Sequence, residues 1–283
     1  MRPVPTCILG SGQAPQALHG HALDAYVQIG SLSKTLTGTA LARLAAKGVL
    51  QADAPVERFL PVPPGTGITL EHLAQHTSGL PRLPPRVKRH DPYAAFDDAA
   101  LQALLRTLDT LTTTAPGQAE EYSNLGYAVL GAALTAAAGM PYQDLLDHYV
   151  LAPLGITEVA VAPPPDRRLH GRGLFGRRLR PWTMSGAVLP AGGLWATPRA
   201  TAGLVNALLV ERKLGEPALS WQRAGTLLWH NGATRDASAF AGATPDGRWV
   251  LIHRLTGRAD RTDELGIELL RRATPGAPPA DGP

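Results

Sequence analysis

Ser31 and Lys34 stand three residues apart in the stretch Ile29-Gly30-Ser31-Leu32-Ser33-Lys34-Thr35. One helical turn brings such a pair onto the same face, so that an amine lies beside a hydroxyl. A serine hydroxyl attacks a carbonyl at neutral pH only when a base takes its proton, and a lysine kept neutral by burial or nearby charge is such a base. The spacing therefore predicts covalent, nucleophilic chemistry. Ser-x-x-Lys is also common on helix surfaces, and the same residues suit an N-capped core helix with Ser31 or Ser33 as the cap and Lys34 in solvent. Gly30 permits close backbone approach just before the serine. Leu36, Ala40, Leu41 and Leu44 form an apolar stripe that buries the helix behind it.

The elements that must hold this pair can be placed in order. Short strands are expected at 7–10 and 26–29, so the serine follows a strand directly. The first helix runs from about Ser31 to Lys47 and stops at Gly48. A proline-rich passage, Pro55 to Pro64, leads to a short helix capped by Thr69 and then to the turn-forming His76-Thr77-Ser78-Gly79-Leu80-Pro81. Asp97 to Leu108, Leu125 to Ala138 (closed by Gly139) and Pro141 to about Val150 read as helices. Arg167 to Arg180 reads as an exposed, mobile loop, or as a flap favouring anionic substrates. Ala191 to Trp195 reads as a close-packed turn, and Thr197-Pro198 opens a helix to about Arg212. Strands at 226–230, 238–241 and 249–255 form an antiparallel meander, Thr262 to Arg272 is helical, and 273–283 is a disordered tail.

This order gives an α+β fold: an antiparallel sheet built from N- and C-terminal strands, flanked by helices and interrupted by a long, mostly helical insertion. Residues 1–272 are expected to form one domain. Its sheet lobe covers about 1–55 and 190–272, its helical lobe about 56–189, and the cleft between them is the natural site.

With 283 residues and 44% hydrophobic content, the chain can bury a sizeable core. Cys7 is the single cysteine, which excludes an internal disulfide and a cysteine-built zinc site. The formal charge of +4 is spread over scattered arginines, with no aromatic-interleaved basic stripe, so nucleic acid is not an expected partner. No run of eighteen apolar residues occurs and Met1-Arg2-Pro3-Val4-Pro5 leads into no signal-like segment; the expectation is a cytoplasmic protein without a membrane partner. His72 and His76 have helical spacing for a metal, but no Glu lies between them and no third ligand suggests itself, so neither metal nor cofactor is expected. An exposed His72 and a hydrogen-bonded His76 at the turn is the simpler reading. Gly-x-Ser-x-Gly and Walker glycine loops are absent from the sequence.

Three stretches can meet in the cleft: Ser31-Leu32-Ser33-Lys34, Tyr122-Ser123-Asn124 and His230-Asn231-Gly232. In this order the chain resembles the serine β-lactamase and penicillin-binding-protein fold, particularly the class C β-lactamase-like group that also holds carboxylesterases and D-amino-acid peptidases. Ile68 to Pro81, Tyr122 to Gly131, Pro153-Leu154-Gly155-Ile156 and Ala191 to Thr197 also resemble the group, and the likeness covers roughly Tyr26 to Leu255. The resemblance implies Ser31 as nucleophile of an acyl-enzyme, with Lys34 and Tyr122 sharing the proton as base and as relay or acid. It implies that Asn124 orients Lys34 and binds substrate, that the backbone N–H groups of Ser31 and Ala233 form an oxyanion hole, and that Gly232 leaves room along the strand edge. Taken alone, Tyr122 also suits a half-buried aromatic staple, Asn124 a helix N-cap and His230 a satisfied histidine at a strand end.

His230 stands where the group usually has a lysine, and it carries no fixed charge at neutral pH. This resembles the His-x-Gly variant of peptidases and esterases and puts recognition of a substrate carboxylate in doubt, unless Arg235 restores a charge. The segment before Ser31 leaves little room for the N-terminal helix and full strand pair of the group. The implied function is a serine hydrolase acting on a small ester, amide or peptide, of carboxylesterase or D-amino-acid amidase type. β-Lactam or D-Ala-D-Ala hydrolysis is the alternative, and a catalytically silent binding relative is the second.

Overall fold

The computed structural model describes residues 3–85, 90–172 and 179–272. The expected tail at 273–283 and the centre of the arginine-rich stretch, with Arg177 and Arg178, lie outside the described residues. The strands are β1 (Thr6–Gly10), β2 (Gln16–Leu18), β3 (Val27–Gln28), β4 (Val159–Ala160), β5 (Trp195–Ala196), β6 (Gln222–Ala224), β7 (Leu227–Ala233), β8 (Ser238–Ala243) and β9 (Trp249–Arg254). The α-helices are α1 (Ser33–Ala46), α2 (Leu70–Ala74), α3 (Asp98–Leu105), α4 (Asn124–Ala138), α5 (Tyr142–Leu146), α6 (Ala152–Leu154), α7 (Leu189–Gly192), α8 (Pro198–Val205) and α9 (Ala259–Arg272).

The main sheet has the order β2-β1-β9-β8-β7-β6 and is antiparallel, with Cys7 opposite His253 and His230 opposite Ala241. N- and C-terminal strands therefore pair around a helical middle, and the fold is α+β as the sequence order requires. One face of the sheet is closed by α9, where Gly266 lies so near Phe240 that an added Cβ would sit 2.1 Å from its ring. One expectation changes at the strand that precedes the serine. β3 pairs with β5 and β5 with β4 in a separate three-stranded sheet, so Ala191 to Trp195 is more than a turn. β2, an edge strand exposed at all three positions, carries no hydrophobic alternation by which it could be recognised.

Helix α1 is buried on nearly every side. Leu36, Ala40, Leu41 and Leu44 are at most 3% exposed, each leucine contributing roughly 1.5–3 kcal/mol by burial. The buried polar positions have local partners: Thr35 Oγ donates to Leu32 O, Thr39 Oγ to Thr35 O, and Thr37 Oγ bonds Tyr142 Oη and Pro190 O, all within 2.8 Å. A threonine-rich helix can thus cross the core without orphaned hydroxyls. It ends where Gly48 takes a positive φ of 70°, the conformation its lack of a Cβ permits.

Helix α4 is capped by Ser123, whose Oγ accepts from Gly126 N at 2.8 Å, and it closes at Gly139. Because Ser123 is the cap, Asn124 enters the first turn with its amide free for other work. The expected arginine-rich loop is pinned over its first residues: Arg167 pairs with Glu158 at 2.6 Å, and Tyr26 exchanges backbone hydrogen bonds with Arg167 and Leu169.

Candidate active site

Ser31 sits in a single 3-10 turn, Gly30–Leu32, between β3 and α1. Gly30 has φ +54°, and a Cβ there would lie 2.7 Å from Ala233 N; a Cβ on Gly232 would lie 2.0 Å from Ile29 O. The end of β7 and the serine turn therefore meet backbone to backbone, which only glycine at both positions allows. Ser33 Oγ fastens the turn, donating to Gly30 O at 2.8 Å and accepting from Leu194 N at 3.1 Å. Two glycines remote in sequence and one hydroxyl thus fix where Ser31 points.

Lys34 is fully buried, 0% exposed, which rules out the solvent-facing reading. Its Nζ donates to Asn124 Oδ1 at 2.7 Å and Ala191 O at 2.6 Å, and lies 3.4 Å from Ser31 Oγ. Burial first, and then the Arg82 guanidinium, hold its pKa well below the ordinary lysine value. A neutral amine has two N–H groups, which the two short contacts use. The lone pair is left for the serine proton.

Tyr122 comes from the helical lobe to line the same cleft as Ser31, and burial pushes its phenol up to about 12, so at neutral pH it is a proton donor. Lys34 Nζ lies 4.7 Å and Arg82 Cζ 5.3 Å from the centre of its ring. His76, in a left-handed conformation at φ +62°, brackets the tyrosine: its carbonyl accepts from Glu121 N at 2.7 Å and its Nδ1 from Ser123 N at 3.1 Å. Its ring lies tilted against Tyr122, centroids 4.5 Å apart, and burial lowers its pKa to about 3, so it stays a neutral acceptor. Asn124 Nδ2 donates to Tyr93 Oη at 2.6 Å, and its second N–H remains for a ligand. Cys7, buried and pushed up to about 12, is no rival nucleophile.

These groups open on a cleft of about 500 Å³ walled by Tyr93, Trp182, Met184 and Trp229. Asp91 ties two of the walls together by accepting from Thr183 N and Oγ at 2.9 and 2.7 Å. Along β7, Trp229, Asn231 and Ala233 line the cleft, as alternation requires. His230 and Gly232 lie on the opposite face of the strand. The expectation that His230 contacts substrate is therefore corrected: its ring is 1% exposed, Nδ1–H donates to Asn231 O at 2.6 Å, and burial lowers its pKa to about 4. Asn231 faces the cleft in its place, held by Asp263 at 2.6 Å. Arg235 is exposed on the turn after β7 and does not line the cleft.

The beta-lactamase family model matches residues 11–264. The chain belongs to the beta-lactamase family. Among relatives, the D-alanyl-D-alanine-carboxypeptidase/endopeptidase AmpH of Escherichia coli (strain K12) is 35% identical over 185 residues, covering 62% of this chain and 47% of that protein. Esterase EstB of Burkholderia gladioli is 34% identical over 160 residues, covering 51% and 41%. The chain thus spans about half, or less, of the length of these curated relatives. A solved beta-lactamase/D-alanine carboxypeptidase from Yersinia pestis shares the fold at TM-score 0.76 and 20% identity, over 95% of this chain and 91% of that one.

In this beta-lactamase-family chain, sequence reasoning missed Tyr93, Arg82 and the bracketing by His76. Tyr93 and Arg82 lie in a proline-rich loop without periodicity. His76 did show a signal, since it ends a short helix just before a glycine turn. Its neighbour His72 is half-buried rather than exposed, and closes a capping box with Thr69. Among the described residues no group of three or more His, Cys, Asp or Glu could hold a metal, and no single helix is long and apolar enough to cross a membrane.

Proposed function

We propose that the chain is a serine hydrolase that cleaves a small ester or amide through an acyl-enzyme on Ser31. One observation carries this reading: a buried amine whose two N–H groups are occupied at 2.7 and 2.6 Å while its third direction meets Ser31 Oγ. Lys34 takes the Ser31 proton as Oγ bonds to the substrate carbonyl carbon. The oxyanion is received by the backbone N–H groups of Ser31 and Ala233, brought near each other by the glycine contact. As the tetrahedral adduct collapses, the leaving alcohol or amine takes a proton from Tyr122, which regains one from Lys34. Water then attacks the acyl-serine carbonyl and gives a proton to Lys34; as the C–Oγ bond breaks, Lys34 passes that proton to Ser31 Oγ and the acid departs.

Esters and D-amino-acid or peptide amides rank above β-lactams, because the β7 side of the cleft, with His230 buried and neutral, carries no charge where the group usually has a lysine. The names of the relatives, an esterase and a carboxypeptidase, are compatible with both arms of this ranking. A fluorophosphonate probe read by mass spectrometry is expected to label Ser31 and to be lost in Ser31→Ala. Side-by-side assays of a nitrophenyl ester, a chromogenic cephalosporin and a D-Ala-D-Ala peptide rank the substrates. No adduct and no turnover would leave a silent binding relative.

A further inference from the structure

Among the described residues that line the cleft, Arg82 is the cation. Its main chain is locked to the start of α4: its carbonyl accepts from Asn124 N at 2.9 Å, and the carbonyl before it, Pro81 O, accepts from Ser123 Oγ at 2.7 Å. The side chain is left exposed at the cleft wall, with Cζ 5.3 Å from the centre of the Tyr122 ring. Arg167, Arg199, Arg212, Arg248 and Arg261 all pair with carboxylates, whereas Arg82 has no carboxylate or hydrogen-bond partner among the described residues. No acidic side chain lines the cleft among the described residues, and Asp91, close to Tyr93, is engaged by Thr183. The other basic groups near Ser31 are Lys34, His76 and His230, all buried and held toward their neutral forms. An unpaired guanidinium facing aromatic walls matches a carboxylate attached to an apolar body.

Resting on the serine-hydrolase reading, we propose that Arg82 binds a carboxylate of the substrate, so that the preferred substrates are esters or amides carrying a free carboxylate on an apolar body, a few bonds from the scissile carbonyl. The charge that His230 does not provide comes instead from the opposite wall, beside Tyr122. A carboxylate there can belong to the acyl part or to the leaving group, and the two sources are separated by substrate design.

The test compares matched esters. Phenyl hydrogen adipate against phenyl hexanoate places the charge on the acyl part, and 3-carboxyphenyl butyrate against phenyl butyrate places it on the leaving group. The readout is the ratio of kcat/KM for the charged over the neutral ester, which cancels any effect of Arg82 on Lys34 itself. In the unaltered protein one of the two ratios is expected to be about tenfold or more, falling to near one in Arg82→Gln and partly returning in Arg82→Lys. Ratios near one in both arms, or a ratio that Arg82→Gln leaves in place, would overturn the proposal. If no ester is turned over, the hydrolase reading fails and calorimetric titration decides the site by itself. Hippurate is then expected to bind about tenfold more tightly than its neutral amide, with the difference lost in Arg82→Gln; equal affinities in the unaltered protein would overturn it.

Discussion

Asn124 Oδ1 accepts a hydrogen bond from Lys34 Nζ at 2.7 Å, joining the first turn of α4 to the first turn of α1 across the cleft floor. Asn124→Asp replaces a neutral acceptor with an anion beside the amine, which favours the ammonium form and raises the lysine pKa. A base must be neutral, so activity rises with pH through that pKa. The rising limb of the kcat/KM profile is expected to move upward by about 1–3 pH units in Asn124→Asp, with the loss greatest at neutral pH. A limb that stays in place would mean that Lys34 is not the titrating base.

The glycine contact that brings Ala233 to Ser31 tolerates no side chain. A Cβ at position 232 would stand 2.0 Å from Ile29 O, so Gly232→Ala must push β7 away from the serine turn. A displacement of this kind at an oxyanion site costs on the order of a hundredfold in kcat. Gly232→Ala is expected to retain a native-like circular dichroism spectrum while steady-state kcat falls by that factor. Unchanged kcat would remove Ala233 from the oxyanion role.

His76 is held to its place by conformation as well as chemistry. Asparagine tolerates the left-handed backbone, and its Oδ1 can take the position of the accepting Nδ1. His76→Asn is therefore expected to keep most of the stability. His76→Leu leaves the buried Ser123 N–H without an acceptor and forces a γ-branched apolar side chain into a positive φ, at a cost of about 1–3 kcal/mol. Urea unfolding separates the two variants. Equal destabilisation would show that the packing of the ring against Tyr122, and not the acceptor, is what matters.

Much of this site is legible because it depends on local spacing. Ser31 and Lys34 share one turn, and Ser123 with Gly139 brackets α4, so both could be placed from residue order. What escaped depends on pairings across the fold. A two-residue strand such as Val27–Gln28 carries too little pattern to reveal that Trp195–Ala196 is its partner. The face presented by His230 is set by strand parity, and β7 is at least partly buried along both faces for most of its length, so burial pattern alone does not assign it. Arg82 earns its position from the backbone bonds of its neighbours, which no motif encodes.

Four buried histidines link stability to pH, and in each, His21 included, burial lowers the pKa. Burial lowers His76 to about 3, His230 to about 4 and His253 to about 3, against roughly 6.5 in the unfolded chain. Above the unfolded value both states leave these rings neutral, and the stability they allow is fully present. As pH falls below about 6.5 the unfolded chain binds protons that the folded chain refuses, so stability declines until the folded values are reached. Each ring contributes a slope of about 1.4 kcal/mol per pH unit within that window. Urea unfolding at pH 7, 6 and 5 is expected to show this decline. In His253→Gln, which keeps a polar side chain beside His21 and Gln28 O, the slope should shrink by one histidine's share. A slope identical to that of the unaltered protein would mean that His253 takes up its proton without unfolding the chain, and that the His21–His253 contact yields to acid locally.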